Sequence, residues 1–290
     1  MVTMPVQVQP NDKDSSGATN SVNVVKALTG PFEHLPDALP VLRDFDIKQK
    51  LLQWNLSGSL QLQRFRVHRR LPSEADAALL GEFFHDEDVQ RILSLPASVS
   101  CALTSKETVI SKPQTSEGSI LQCERLRVSV TSMAFFEKLE EAGVVARDGS
   151  IRGCMDEDFD GCTAGDLLTE MMANPESENS EVFSDHDKQE FIFQLFSALV
   201  IGGGALRQPD SRLQPYESAT RALYRGLVSV KKSIADADGK RDIEFTSRVY
   251  RVHSDSLFKG SPSRFHSCFV ILDSCKRWLT VWHCPFASSW

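Results

Sequence analysis

The sequence is short of the features that would send it outside the cytosol or into a membrane. Its first residues, MVTMPVQVQPNDKD, hold neither a basic stretch nor a continuous apolar run, so no secretory signal is expected. No window approaches the ~20 apolar residues that a membrane span needs. Lys/Arg blocks longer than a few residues are missing and the net charge is −7, so no bulk positive field attracts nucleic acid or acidic lipid. Cysteines number seven, an odd and scattered set without a leader, which predicts reduced thiols in a cytosolic protein. No G-x-S-x-G elbow occurs, and no cysteine has a nucleophile's local signature. The lone histidines His34, His68 and His186 read as surface or capping residues. Nothing here predicts an enzyme.

What remains is an ordinary globular composition. The 290 residues, 41% hydrophobic and 24% charged, suffice for a sizeable core in one large domain or two small ones. Residues 1–31 are too poor in large apolar groups to offset the entropy of ordering and read as a disordered tail. Residues 32–290 read as a single α+β domain, with a possible subdivision near 174–183.

The organising stretch runs from Ser184 to Lys232. Ser184 and Asp187 form a capping box that opens a helix, whose segment from Phe191 to Ile201 is apolar on nearly every side. It is too short to span a bilayer, so it is expected in a core. Gly202, Gly203 and Gly204 stop it, and Pro215 sits in the first turn of a second helix. A phosphate loop needs glycines after a strand and before a helix. Here they follow a helix and no Lys-Ser or Lys-Thr pair comes next, so they read as a helix stop.

Before that stretch, helices are expected over Ile47–Trp54, from a Ser73/Asp76 capping box through Phe84, after Asp86, and from Ser132 to Gly143. A short helix is expected at Gly165–Ala173, followed by an acidic, serine-rich loop at Asn174–Glu181. Strands are expected at Leu60–Val67 and Leu121–Val130, with a hairpin over Val99–Leu103 and Val109–Ile110. After it, Leu227–Lys231 and Ile243–His253 flank the hairpin signal Asp238-Gly239. Phe265–Leu272 and Trp278–His283 make a second hairpin. The fold class expected is α+β, with an antiparallel meander in the C-terminal third packed on the apolar helix.

Two patterns suggest metal chemistry. Asp156, Asp158 and Asp160 with Gly161 match the start of an EF-hand loop, where oxygens converge around a sharp turn. Position 12, which needs a bidentate Glu, is Leu167. A solvated acidic turn is expected, with those three aspartates the calcium candidates. His266, Cys268, Cys275, His283 and Cys284 lack the close pairing of zinc ligands, and buried cysteines behaving as small apolar groups are expected. Arg64, Arg66, His68, Arg69 and Arg70 form the best basic patch, with only Phe65 as an aromatic platform, and read as a solvated face. No catalytic residue, no cofactor-binding residue and no cofactor are expected.

Several segments, in order, resemble the cilia- and flagella-associated protein 300 family. They are Phe32-Glu33-His34-Leu35-Pro36, Leu52-Gln53-Trp54, Met133–Leu139 and Arg147–Ile151, then Gln189-Glu190-Phe191, Gly203-Gly204-Ala205-Leu206, Pro215-Tyr216-Glu217 and Leu227–Val230. Phe245-Thr246-Ser247, Cys268-Phe269-Val270 and His283-Cys284 complete the set. The resemblance covers about residues 32 to 284. It implies a non-enzymatic protein of the cytoplasm and ciliary axoneme, linked to assembly or delivery of outer and inner dynein arms. Its implied partners are dynein-arm preassembly factors or the intraflagellar transport machinery, with no nucleic acid and no membrane span. The alternative from the residues alone is a calcium- or metal-responsive regulator using the loop 156–161.

Overall fold

The structure, a computed structural model, describes residues 30–96, 102–103, 120–159, 162–204, 206, 209–232, 243–259 and 262–287. The expected tail at 1–31 and the Asp238-Gly239 turn lie almost wholly outside these residues. In chain order the strands are β1 (Phe32–His34), β2 (Gln61–Val67), β3 (Ala102–Leu103) and β4 (Ile120–Leu126). Next come β5 (Gly153–Phe159), β6 (Cys162–Asp166), β7 (Val230–Lys232) and β8 (Ile243–Phe245). The last are β9 (Ser247–His253), β10 (Ser267–Asp273) and β11 (Trp278–Cys284). The helices are α1 (Phe45–Gln53), α2 (Asp76–His85), α3 (Glu87–Ile92) and α4 (Lys138–Glu141), then α5 (Leu167–Ala173), α6 (Asp185–Lys188), α7 (Phe191–Ile201) and α8 (Leu213–Leu227).

The fold is α+β. A seven-stranded sheet has the order β1-β2-β11-β10-β9-β4-β3, antiparallel throughout except for the β3–β4 pair. Its centre is the expected C-terminal meander. β10 and β11 pair from Ser267↔Cys284 to Asp273↔Trp278, and the Asp273 carboxylate accepts from the Cys275 and Lys276 amides to fix their turn. Both strands are nearly continuous apolar runs, as strands covered on both faces must be.

The two faces carry separate cores. One packs β-strand residues Val249, Phe269, Ile271 and Trp282 against α7, α8 and α1. The apolar helix α7 is buried there as expected; Phe191 meets Phe269 edge-on at 5.6 Å between ring centres. The other face packs Val270, Leu272, Leu279 and Val281 against α2 and α3, through Leu80, Phe83 and Phe84. Two smaller antiparallel pairs, β5–β6 and β7–β8, lie outside the main sheet.

Several expectations need correction. Ser184 and Asp187 do form a capping box, but around a helix of only four residues, α6. The backbone then straightens at Glu190 before α7 begins, because the chain there docks alongside Arg127. Ser73 and Asp76 form no capping box; α2 starts at Asp76, which turns inward instead to Arg248 and Tyr250. Helix α8 extends through Leu227, so the strand expected from Leu227 begins at Val230. The return strand divides at Thr246: β8 pairs with β7, and β9 enters the main sheet. The expected hairpin near residue 100 is visible only at β3, which pairs in parallel with β4; its other residues lie outside the described ones.

Candidate functional site

The sequence candidates are dispersed by the fold. The backbone at Asp156 and Asp158 is extended in β5, opposite β6 in the register Asp158↔Thr163, where the sequence suggested a turn. Asp160 lies outside the described residues. Among those residues no group of three or more His, Cys, Asp or Glu side chains is placed to hold a metal.

The C-terminal Cys/His set divides between the two cores. Cys268 belongs to the α2/α3 side and Cys284 to the α7/α8 side, while Cys275 is exposed on the turn. Burial pushes the Cys268 thiol up strongly and that of Cys284 up to about 11, so both are neutral thiols. His266 and His283 stack on Phe258, at 4.3 and 4.8 Å between ring centres. His283 Nε2 donates to the Leu257 carbonyl at 2.8 Å, while Nδ1 is buried without a partner among the described residues. Burial of the ring lowers the His283 pKa, against the opposing effect of the bond to Leu257.

The basic patch is dismantled in the same way. Arg64 is buried, donating to Thr280 Oγ1 and to the Ala38 and Gly226 carbonyls, with its guanidinium 4.4 Å from the Trp278 ring centre. Arg66 and His68 both reach Glu33, and Arg69 pairs with Glu82.

The glycines stop α7, and they also do something composition cannot reveal. Gly202 takes a positive φ of 73° at the helix end. A Cβ on Gly203 would lie 2.0 Å from the Asn55 carbonyl oxygen, and one on Gly204 would lie 2.5 Å from that of Ala287. The Gly203 amide donates to the Trp54 carbonyl, and its own carbonyl accepts from Ala287, each at 3.0 Å. Three distant segments therefore cross there with their backbones in contact. Trp54, fully buried beside the crossing, stacks on Tyr216 of α8 at 4.7 Å and donates from Nε1 to Asp210.

Buried carboxylates are the polar features that sequence reasoning missed. Glu190, 2% exposed, accepts from Arg127 Nε, from the Ser129 amide and from the Ser129 hydroxyl. Asp76 accepts two bonds from Arg248 and one from Tyr250, all 2.5–2.7 Å. Glu170 is held by Ser177 and Asn174. Their partners are far off in sequence or of unremarkable type, so spacing could not reveal them. Each of these three carboxylates is held by structural donors.

One open feature is a groove of about 450 Å³ between α8 and the β7–β8 ribbon. Arg221, Tyr224 and Arg225 line it from α8, Ile192 from the start of α7, and Val230, Ile243 and Phe245 from the ribbon. Val230 and Ile243 are both about half exposed, at 52% and 53%. Among the described residues its lining holds no Asp, Glu, His or Cys. It has the character of a binding surface, apolar with a cationic rim.

No helix among the described residues is long and apolar enough to cross a membrane. No solved structure matches the chain significantly. A protein named cilia- and flagella-associated protein 300 from Chlamydomonas reinhardtii is 27% identical over 267 residues, covering 88% of this chain and 98% of that protein. One of the same name from Paramecium tetraurelia is 26% identical over 250 residues, covering 83% and 91%. The family model described as cilia- and flagella-associated protein 300 matches residues 29–284, nearly the whole described fold. The chain belongs to the cilia- and flagella-associated protein 300 family.

Proposed function

We propose that this cilium-associated protein acts by binding rather than catalysis, in the assembly or delivery of axonemal dynein arms. The observation that carries the reading is the extent of the family match, from residue 29 to 284, together with relatives covered almost end to end. The site supports it from the chemical side. The buried acids Glu190, Asp76 and Glu170 are engaged by structural donors and the thiols of Cys268 and Cys284 are held neutral, whereas the α8 groove offers apolar surface and charge to another molecule. Dynein-arm preassembly factors or intraflagellar transport components are the proposed partners, met in the cytoplasm and carried to the axoneme.

The test is depletion in a flagellated cell, followed by electron microscopy of axoneme cross-sections. Loss of outer and inner arms with failed beating is the expected result. Intact arms and normal beating would overturn the proposal.

A further inference from the structure

We infer that the groove between α8 and the β7–β8 ribbon takes an acidic peptide segment of a partner protein, seating a large apolar side chain between its carboxylates. The register of the ribbon gathers its apolar residues on one face, which they share with Lys232 opposite Ile243. Val230 stands opposite Phe245, and Ile243 lies two residues from Phe245 on the same side. Lys231 and Glu244, opposite each other, take the other face and pair at 3.0 Å. The ribbon therefore turns its apolar side toward α8 and its charged pair toward solvent, yet Val230 and Ile243 stay about half exposed, as 52% and 53% show. A surface patterned for burial is left uncovered.

Charge selects the occupant. Arg221 and Arg225 stand one helical turn apart on the groove's α8 wall. Glu217 lies close enough to Arg221 to feel its charge, whereas Arg225 has no carboxylate partner among the described residues. The chain as a whole carries −7, so this cationic rim is a local feature against an acidic background. Tyr224 lines the groove with its ring, its hydroxyl being buried beneath the surface. A volume of about 450 Å³ falls within the roughly 300–1,000 Å³ typical of pockets that enclose a ligand. The chain's own residues 1–29 fit poorly, since Asp12 and Asp14 are balanced by Lys13 and Lys26. An acidic segment from another protein, carrying a large apolar side chain, matches both the arginine rim and the half-exposed Val230 and Ile243.

The experiment is fluorescence anisotropy on the full chain. The probe is a fluorescein-labelled peptide in which glutamates alternate with leucine and phenylalanine. Controls carry lysine for glutamate, or alanine for leucine and phenylalanine. The acidic apolar peptide is expected to bind at least about tenfold tighter than either control, a gap of roughly 1.4 kcal/mol. Arg221→Glu with Arg225→Glu should weaken it about tenfold or more at an unchanged unfolding temperature, and Ile243→Asp should weaken it without touching the arginines. Equal binding of the lysine peptide, or no effect of the double charge reversal, overturns the inference. So does binding that emerges only when residues 1–29 are deleted, which would make the tail the occupant. A dimer dispersed by the arginine reversal would make a second copy the occupant, and overturns it too. The dynein-arm proposal is tested separately by depletion, so peptide binding can fail while that proposal stands.

Discussion

The two faces of the central sheet solve the same burial problem in different ways. On the α2/α3 face, residues 71–95 fold over the strands and one buried clasp, Asp76 with Arg248 and Tyr250, ties α2 to β9. That side is clasped at α2. On the α7/α8 face, segments far apart in the chain meet at the glycine crossing, where Trp54, Gly203 and Ala287 join by backbone bonds. That side is dense at its centre and open at its edge, where the β7–β8 ribbon leaves a groove beside α8. The comparison separates stability from interaction. One face holds the fold, and the other holds it while also leaving a surface for something else.

The clasp offers the largest way to break the α2/α3 face. Asp76→Ala leaves the Arg248 guanidinium, 13% exposed, without its carboxylate and should cost about 3–5 kcal/mol, read as a lowered urea midpoint. A loss under about 1 kcal/mol would show that the clasp is solvated and that packing alone holds this face.

The crossing is the matching target on the other side. Gly203→Ala puts a methyl 2.0 Å from a backbone oxygen that no side-chain rotation can move. Destabilisation of about 3 kcal/mol is expected, again by urea unfolding. A neutral outcome would mean that the three segments can separate without penalty.

A smaller effect concerns pH on the α2/α3 face. Burial lowers the His283 pKa, and its Nδ1 has no acceptor to receive a new N–H among the described residues. The unfolded histidine titrates near about 6.5. Below that value the unfolded chain binds a proton that the folded chain refuses, so stability falls with falling pH until the lowered folded pKa is reached. Above it the contribution is fully present. The slope in that window is at most about 1.4 kcal/mol per pH unit. Unfolding measured at about pH 7.5 and 5.5 should show a steeper loss for the native chain than for His283→Gln. Equal slopes would place the titration elsewhere.

The smallest expected change in stability sharpens the contrast most. Arg221 and Arg225 are exposed, so their joint reversal to glutamate should shift stability by no more than about 0.5 kcal/mol. A large loss would make the groove wall part of the core.

Much of this fold was legible because its strongest signals are local. The apolar run Phe191–Ile201, the β10–β11 hairpin and the caps at Ser184 and Asp86 all follow from neighbouring residues. The failures occur where a distant partner overrides a local pattern. Asp76 had the spacing of a capping acid, but a buried arginine 172 residues away claims it. Glu190 looked like the middle of one helix, but Arg127 and Ser129 straighten the chain around it. Along Leu60–Val67 the apolar residues change face, Leu62 joining one core and Phe65 and Val67 the other, because the strand is covered on both sides and even Arg64 is buried. The segments carrying the family resemblance, Leu52-Gln53-Trp54, Gly203-Gly204 and Pro215-Tyr216-Glu217, meet at the crossing. The groove was illegible, since it depends on how a ribbon with half-exposed apolar residues is set against one face of α8.

The most direct test of the account replaces the native gene in a flagellated cell with the Arg221→Glu, Arg225→Glu form. The account predicts a chain present at normal level and folded normally, yet axonemes that lack dynein arms and do not beat. Normal arms and normal beating with that variant would contradict it, and would place the protein's work on a surface other than the groove.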